Sequence, residues 1–510
     1  MVNYLKVASA NDLEGRDRFL YRALEIAPAF LAWGTLFILT LFSWLQPVWV
    51  AYFIIAFDVY WLLLVLFLSL HLVAAYRKMK QNLKINEEAE CKKLKNWGNI
   101  FHLIILPVYK EGREIIEASL RAIVNSGYPA EKIIVALTVE ERAGSEQIEM
   151  CRRIKEEYAG KFRHFLFTAH PDGIKGELKG KGANQTWAAR AVKREYLDNS
   201  GLDENNIIAS VFDIDTVVFK NYFYRLTHVF LTVENPRLAS YQPIPVYHNN
   251  LWEAPFFSRI SATSNTFWQM MQQIRQEKLA TYSSHSMSWK ALVDIDFWST
   301  NMVSEDSRIF WHCYCHYSGN YRVEPLYYPV SMDICMDKTN WQTMKNLYKQ
   351  QKRWGWGVEN IPYLIFNIIK SWKRMPKRKA FGRVFIQLYG FHSWATNALI
   401  IAVVGWLPLI LGGSDFSGTV LSGNLPFITR ALMTIAMAGL ILSAVISTLL
   451  LPKQPPKYSM LKIISMPVQW IFLPIIIIIF GSIPALEAQT RLALGGKWRL
   501  GFWVTPKQRW

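Results

Sequence analysis

Apolar residues in this chain are gathered into five long runs on either side of a polar middle. Two runs near the N-terminus, 27–45 and 48–74, are joined by the uncharged turn Gln46-Pro47. Three more, 384–411, 427–451 and 463–486, follow the polar stretch. Each approaches the ~20 residues that cross a ~30 Å hydrocarbon layer. The first run starts late, lacks a small-residue cleavage site and leads straight into another run, which excludes a signal peptide. The pattern predicts an integral membrane protein.

The polar middle alternates between two periodicities. Residues 101–108 form an unbroken apolar run interrupted only by Pro107, as in a buried parallel strand. Ile115, Ile116, Ser119, Leu120 and Ile123 repeat at helical spacing, and Gly127 follows. Strands are expected at 133–139 and 162–167, and helices at 148–158 and 184–196. Alternating strands and helices imply a doubly wound α/β sheet, which binds ligands beyond the carboxyl ends of its strands. Residues 341–369 are amphipathic, with Met344, Leu347 and Tyr348 on one face and Lys345, Lys349 and Lys352 on another. An interfacial helix fits there. The expected division is 1–99 with two spans, 100–340 as the α/β domain, 341–383 as the interfacial segment, and 384–510 with three hydrophobic segments and a basic tail.

The formal charge is +18, from 57 Lys and Arg against 39 Asp and Glu. Its placement excludes nucleic acid as the partner. Arg16, Arg18 and Arg22 precede the first run, Arg77, Lys78 and Lys80 follow the second, and a cluster at 373–379 precedes the third. Basic loops stay cytoplasmic, so the N-terminus and the α/β domain are expected inside, at the cell membrane and against anionic lipid headgroups. Five crossings would leave the tail outside, yet it carries Arg491, Lys497, Arg499, Lys507 and Arg509. One of the last three segments is then re-entrant or hides two crossings, and the run containing Pro474 and Pro484 is a candidate. Five cysteines in a cytoplasmic context argue against a disulfide framework. His312-Cys313-Tyr314-Cys315-His316 lacks the second half of a zinc site and reads as a strand with alternate side chains packed inward.

Three motifs carry chemistry. Asp213-Ile214-Asp215 follows the strand-like run 207–212, and continued alternation would project both carboxylates the same way. Mg²⁺ or Mn²⁺ takes such hard oxygen ligands, with phosphate and water completing the shell. The duplicate Asp294-Ile295-Asp296 follows a short helical stretch and reads as a solvated loop. Ser304-Glu305-Asp306 supplies two adjacent carboxylates, one of which could accept a hydroxyl proton. Gln350-Gln351-Lys352-Arg353-Trp354 places an amide, a guanidinium and an indole on one helix beside the membrane. Arg suits bidentate phosphate contact and Trp offers a broad face to a sugar ring, although the same residues could simply anchor an interfacial helix.

Taken in order, these motifs resemble the membrane-bound family-2 glycosyltransferases, the superfamily of cellulose, chitin and hyaluronan synthases and ceramide glucosyltransferase. Leu106-Pro107-Val108-Tyr109-Lys110-Glu111 resembles the family's opening strand and loop, Lys181-Gly182-Ala183-Asn184 its segment beside the nucleotide, and Trp503-Val504-Thr505-Pro506-Lys507 the tail after the last span. The resemblance implies a GT-A fold, Mg²⁺ or Mn²⁺, a UDP-type sugar donor and an inverting single displacement. By position, Asp215 would bind metal, Asp213 would meet metal and the donor diphosphate, and Asp306 would be the general base with Glu305 beside it. Lys181, Gln350, Gln351, Arg353 and Trp354 would contact donor and acceptor. Glu140, within Val139-Glu140-Glu141-Arg142, stands where the family has an Asp that holds the nucleoside. The expected activity extends a growing polysaccharide at the cytoplasmic face; the alternative is one transfer to a lipid or polyprenyl-phosphate acceptor.

Overall fold

The computed structural model describes residues 3–505 apart from 454 and 457. Pro506, Lys507 and Arg509 of the tail lie outside the described residues. The polar middle folds around one mixed sheet of eight strands: β1 Phe101–Val108, β2 Ile133–Glu140, β3 His164–His170, β4 Ile207–Val211, β5 Val217–Val218, β6 Ala239–Val246, β7 Ser286–Ser288 and β8 Arg322–Ser331. Their order is β3-β2-β1-β4-β7-β6-β8-β5. The first four are mutually parallel, and β7 pairs antiparallel with both β4 and β6.

Strand periodicity builds two cores. Ile104, Leu106 and Val108 of β1 face one cluster with Ile115, Ile116, Leu120 and Ile123 of the Arg113–Val124 helix. Leu103 and Ile105 face the other, with Ala188, Ala189 and Val192 of the Lys181–Glu195 helix. Helices thus cover both sheet faces, as the continuous apolar strands required. The Ser145–Tyr158 helix starts three residues earlier than expected, and β3 starts two residues later. His312–His316 is not a strand: it ends the Glu305–His316 helix, where Cys313 and Cys315 are buried in the second core. Period two and the helical i, i+3 spacing are indistinguishable over five residues.

Five helices are long and apolar enough to cross a membrane: Gly15–Leu45, Pro47–Asn82, Lys377–Leu411, Val420–Leu449 and Leu461–Leu494. The fifth is not one regular helix. It breaks into Met460–Val468, a 3₁₀ turn, Leu473–Ile477, a π turn at Ile478–Ser482 and Ile483–Leu494, with Pro467, Pro474 and Pro484 along its length. Proline removes a backbone donor and disrupts the regular hydrogen-bond ladder. The segment touches both the polar unit and the other apolar helices: Phe472 meets Phe256 at 5.2 Å, Phe480 stacks on Phe257 at 6.1 Å and Lys352 pairs with Glu487 at 3.0 Å, while Thr490 accepts the Trp33 indole at 2.8 Å and Ser482 donates to the Trp394 carbonyl at 2.8 Å. A Cβ on Gly355 would sit 3.1 Å from the Ala485 Cα, so the close approach needs glycine. Beyond this segment Arg499 pairs with Glu25 of the first apolar helix at 2.7 Å. The amphipathic stretch expected at 341–369 is the Asn340–Gly355 helix, a 3₁₀ turn and the Asn360–Lys370 helix.

Candidate active site

Strand order switches sides between the parallel neighbours β1 and β4, and the chemistry-bearing residues gather at their carboxyl ends. Asp213-Ile214-Asp215 lies two residues past β4, in a turn closed by the Thr216 N–H donating to the Asp213 carbonyl at 2.8 Å. The turn ends the strand alternation, and the two carboxylates take different protein partners. Asp213 reaches the Lys181 ammonium at 2.6 Å, whereas Asp215, 1% exposed, accepts the Asp333 backbone N–H at 2.9 Å. Asn249 ties this corner together by donating to the Asp215 carbonyl and to Asp333 Oδ1, both at 2.8 Å. Ser284, held at φ 63°, shares a hydrogen bond of 2.7 Å with Thr216.

Lys181 opens its helix at the site. Its Nζ also donates to both oxygens of Asp306, at 3.0 and 2.8 Å, and so bridges two motifs separated by ninety residues of sequence. Burial opposes the ammonium charge, but Asp213, Asp306 and Glu305 outweigh it and raise its pKa. Gly182 lets the helix approach: a Cβ there would meet the Ser299 carbonyl at 2.9 Å and Glu305 at 3.1 Å. Glu305 and Asp306 begin the Glu305–His316 helix, whose amide dipole favours negative charge at that end. Burial, reinforced by the Asp306 charge, pushes the Glu305 carboxyl well above its usual range.

A sequence model of the family described as glycosyl transferase family group 2 matches residues 210–479, more than half of the chain and including both carboxylate motifs. The chain belongs to glycosyl transferase family group 2. Among solved structures, mannosyltransferase PcManGT from Pyrobaculum calidifontis, in complex with GDP-Man and Mn²⁺, is 14% identical, covering 77% of this chain and 98% of that one at TM-score 0.41. TarS 1–349 from S. aureus with UDP-GlcNAc is 11% identical, covering 66% and 92% at TM-score 0.32. No curated protein matches.

In this glycosyltransferase, Gln350, Arg353 and Trp354 share a helix face by their i, i+3, i+4 spacing. Arg353 lies over the Phe502 ring at 5.3 Å, and its charge acts on Glu305. Its Nε is buried with no hydrogen-bond partner among the described residues. Gln351 lies about a quarter-turn round the helix, buried, with its amide donating to Ser261 at 3.1 Å. Phe502 covers Gly180, the residue before Lys181, where a Cβ would meet the ring at 2.5 Å.

Glu140 ends β2, 4% exposed and paired with Arg142 at 2.5 Å; Arg142 lies 4.3 Å over the Tyr109 ring. A cleft of about 320 Å³ opens there, between Glu140, Arg142, His170, Asp172 and Glu177. The duplicate tripeptide is remote: Asp294 pairs with Lys290, and Asp296 with Lys6 and Arg190. Sequence reasoning missed Asp333, His285 and Glu359. His285 is fully buried, its Nδ1 4.0 Å from Asp306. Glu359 Oε1 accepts the backbone N–H and hydroxyl of Ser304 at 3.1 and 2.7 Å, fixing the residue before the acidic pair. Each is a single polar residue outside any motif, and only the three-dimensional arrangement exposes it.

Proposed function

We propose that this enzyme moves a sugar from a nucleotide diphosphate donor to an acceptor at the membrane face, with inversion at the anomeric carbon. The observation that carries the reading is the Lys181 ammonium held between Asp213 and Asp306, which supports one shared site for the two carboxylate motifs. Asp306 accepts the acceptor hydroxyl proton as that oxygen attacks and the nucleoside diphosphate leaves. Lys181 and Arg353 balance negative charge around the leaving diphosphate, and Trp354 offers a stacking face to the acceptor sugar or headgroup. Glu140, at the end of β2, meets the ribose or base. No cluster of three or more potential ligands occurs among the described residues. A site for Mg²⁺ or Mn²⁺ nevertheless fits Asp213 and Asp215, since such ions need few protein carboxylates and complete their shell with phosphate and water. When bound, the ion neutralises charge on the leaving diphosphate.

The basic residues before the first span and in the tail favour both termini on the cytoplasmic side with the active site, which requires an even number of crossings. The sequence resemblance points to a growing polysaccharide as acceptor. A cavity between the sheet unit and the fourth and fifth apolar segments favours the second reading, a lipid-borne acceptor. Membranes supplied with labelled UDP- and GDP-sugars decide the matter. Label transfer that is lost in Asp306→Asn supports the reaction, and full activity of that variant overturns the role of Asp306. Chloroform-soluble product alone rules out the polymer.

A further inference from the structure

Arg259 lies on the Phe256–Ile274 helix and is only 7% exposed. Its Nε and Nη2 donate to Gln469 Oε1 at 3.0 and 2.8 Å, and its Nη1 to the Ala254 carbonyl at 2.6 Å. All these acceptors are neutral, and among the described residues no carboxylate forms an ion pair with it. Buried charges are ordinarily paired, because an isolated one forfeits its hydration without compensation. Burial alone accordingly lowers the guanidinium pKa. An unmatched buried cation calls for an anion.

The surroundings say which kind. Arg259 lines a small, partly open cavity between the sheet unit and the membrane segments, together with Tyr247, His248, Ser447, Gln469 and Trp470. Ser447 belongs to the end of the Val420–Leu449 span, and Trp470 to the fifth segment; the indole donates to the Ser447 hydroxyl at 2.9 Å. Leu450, Leu451 and Met466 add an apolar side. Lys462, at the start of the fifth segment, lies close enough for the two cations to repel. The opposite wall reaches the active site: Tyr247 feels the charges of Asp215 and Asp213, and Asn249, two residues on, holds Asp215.

We propose that this cavity binds the phosphate of a lipid, with Arg259 as its principal ligand, and presents that lipid as the acceptor beside Asp213 and Asp215, where a hydroxyl of its headgroup forms the new bond to the anomeric carbon, its proton passes to Asp306 and the bond to the nucleoside diphosphate breaks. The proposal rests on the glycosyl-transfer reading for the acceptor role, but not for the binding itself. Arginine is suited to a phosphate oxygen pair, and the span ends supply a wall for the chain. Full-length protein in neutral detergent is titrated with dodecyl phosphate, inorganic phosphate or dodecanol, and thermal midpoints are read. Dodecyl phosphate is expected to raise the midpoint. Arg259→Gln and Gln469→Glu, which sets a carboxylate against the guanidinium, should weaken it ~10-fold or more. Arg259→Lys should retain part of the response. An equal response to dodecanol overturns the phosphate, an equal response to inorganic phosphate overturns the lipid, and unchanged binding in both variants overturns Arg259. A midpoint shift by UDP with Mn²⁺, measured on the same samples, reports the donor site independently. Its loss in wild-type protein would count against the glycosyl-transfer reading while leaving the lipid site standing.

Discussion

Replacing Glu359 by glutamine tests how the helix carrying Asp306 is held. Glu359 is 2% exposed; one oxygen accepts the Ser304 N–H and hydroxyl, and the other accepts the Trp356 indole at 2.9 Å with Arg499 3.7 Å away. Glutamine supplies only one acceptor oxygen. Turned toward Ser304, it sets an NH₂ against the indole and guanidinium; turned the other way, it sets one against the Ser304 N–H. Either orientation leaves a buried donor unmet, which costs about 1–3 kcal/mol. Glu359→Ala removes all these acceptors and costs about 3–5 kcal/mol, the usual loss when one partner of a buried ionic network is deleted. Ser304 is the residue that caps the Glu305–His316 helix, so its displacement moves Asp306. A misplacement of ~1 Å costs ~100-fold in rate. In initial-rate assays with labelled donor, Glu359→Gln is expected to lose ~30–100-fold in kcat, while KM for the nucleotide sugar stays within ~3-fold. Arg499→Met should produce a smaller loss, and the double variant less than the sum of both, because the residues share one network. A Glu359→Gln enzyme that is thermally weakened yet keeps its kcat would refute the reasoning and reduce Glu359 to a packing role.

Asp306→Asn is expected to lower transfer by ~10²–10⁴-fold, with nucleotide binding and membrane insertion intact. Gly180→Ala drives a Cβ into the Phe502 ring and also strains a backbone held at positive φ, so the thermal midpoint should fall; Phe502→Ala should recover only the steric part, and no recovery at all would count against the ring contact. Chelation by EDTA should abolish transfer, with Mg²⁺ or Mn²⁺ restoring it, and persistence of activity would remove the metal from Asp213 and Asp215. His102 and His312 are buried and their imidazoles are held down to about 3 by desolvation. Below the ordinary value near 6.5, the unfolded chain binds protons that the native chain refuses. Stability therefore falls as pH drops from ~6.5 toward ~3, by up to about 1.4 kcal/mol per pH unit for each histidine. His102→Gln should flatten the curve of thermal midpoint against pH.

What the sequence disclosed was whatever one element can display by itself. β1 and β2 announce themselves because both faces are buried, and the Arg113–Val124 helix because its apolar residues keep one face. The position of Asp213 past β4 follows from a strand that ends in polar residues. The orientation of its carboxylate does not, because the turn closed by Thr216 was invisible to an alternation argument. Cys313 and Cys315 misled for a related reason, five residues being too few to separate a strand from a helix. The fifth apolar segment reads as a span by length and composition. Its prolines flagged the irregularity, but only the assembled fold shows it meeting Phe256 and Phe257 on one side and Trp33 and Trp394 on the other.

The Asp213, Lys181, Glu305 and Asp306 constellation explains why the remainder was out of reach. Two carboxylates, Asp213 and Asp306, contact one buried ammonium, and Glu305 beside them is pushed toward its neutral form. Arg353 approaches from the Asn340–Gly355 helix and Phe502 from the tail, while Asn249 and Asp333 secure Asp215 from β6 and β8 connections. Each contributor belongs to a different stretch of chain, and none is unusual in its own sequence neighbourhood. Placement of positive charge is thus a property of the assembled fold. The same holds for Arg259, whose lack of a carboxylate partner becomes visible only once the Phe256–Ile274 helix and the fifth segment are laid together. The two cationic positions, Lys181 among carboxylates and Arg259 among neutral acceptors, differ in the one respect that the proposed donor and lipid sites need, the charge left for a ligand to meet.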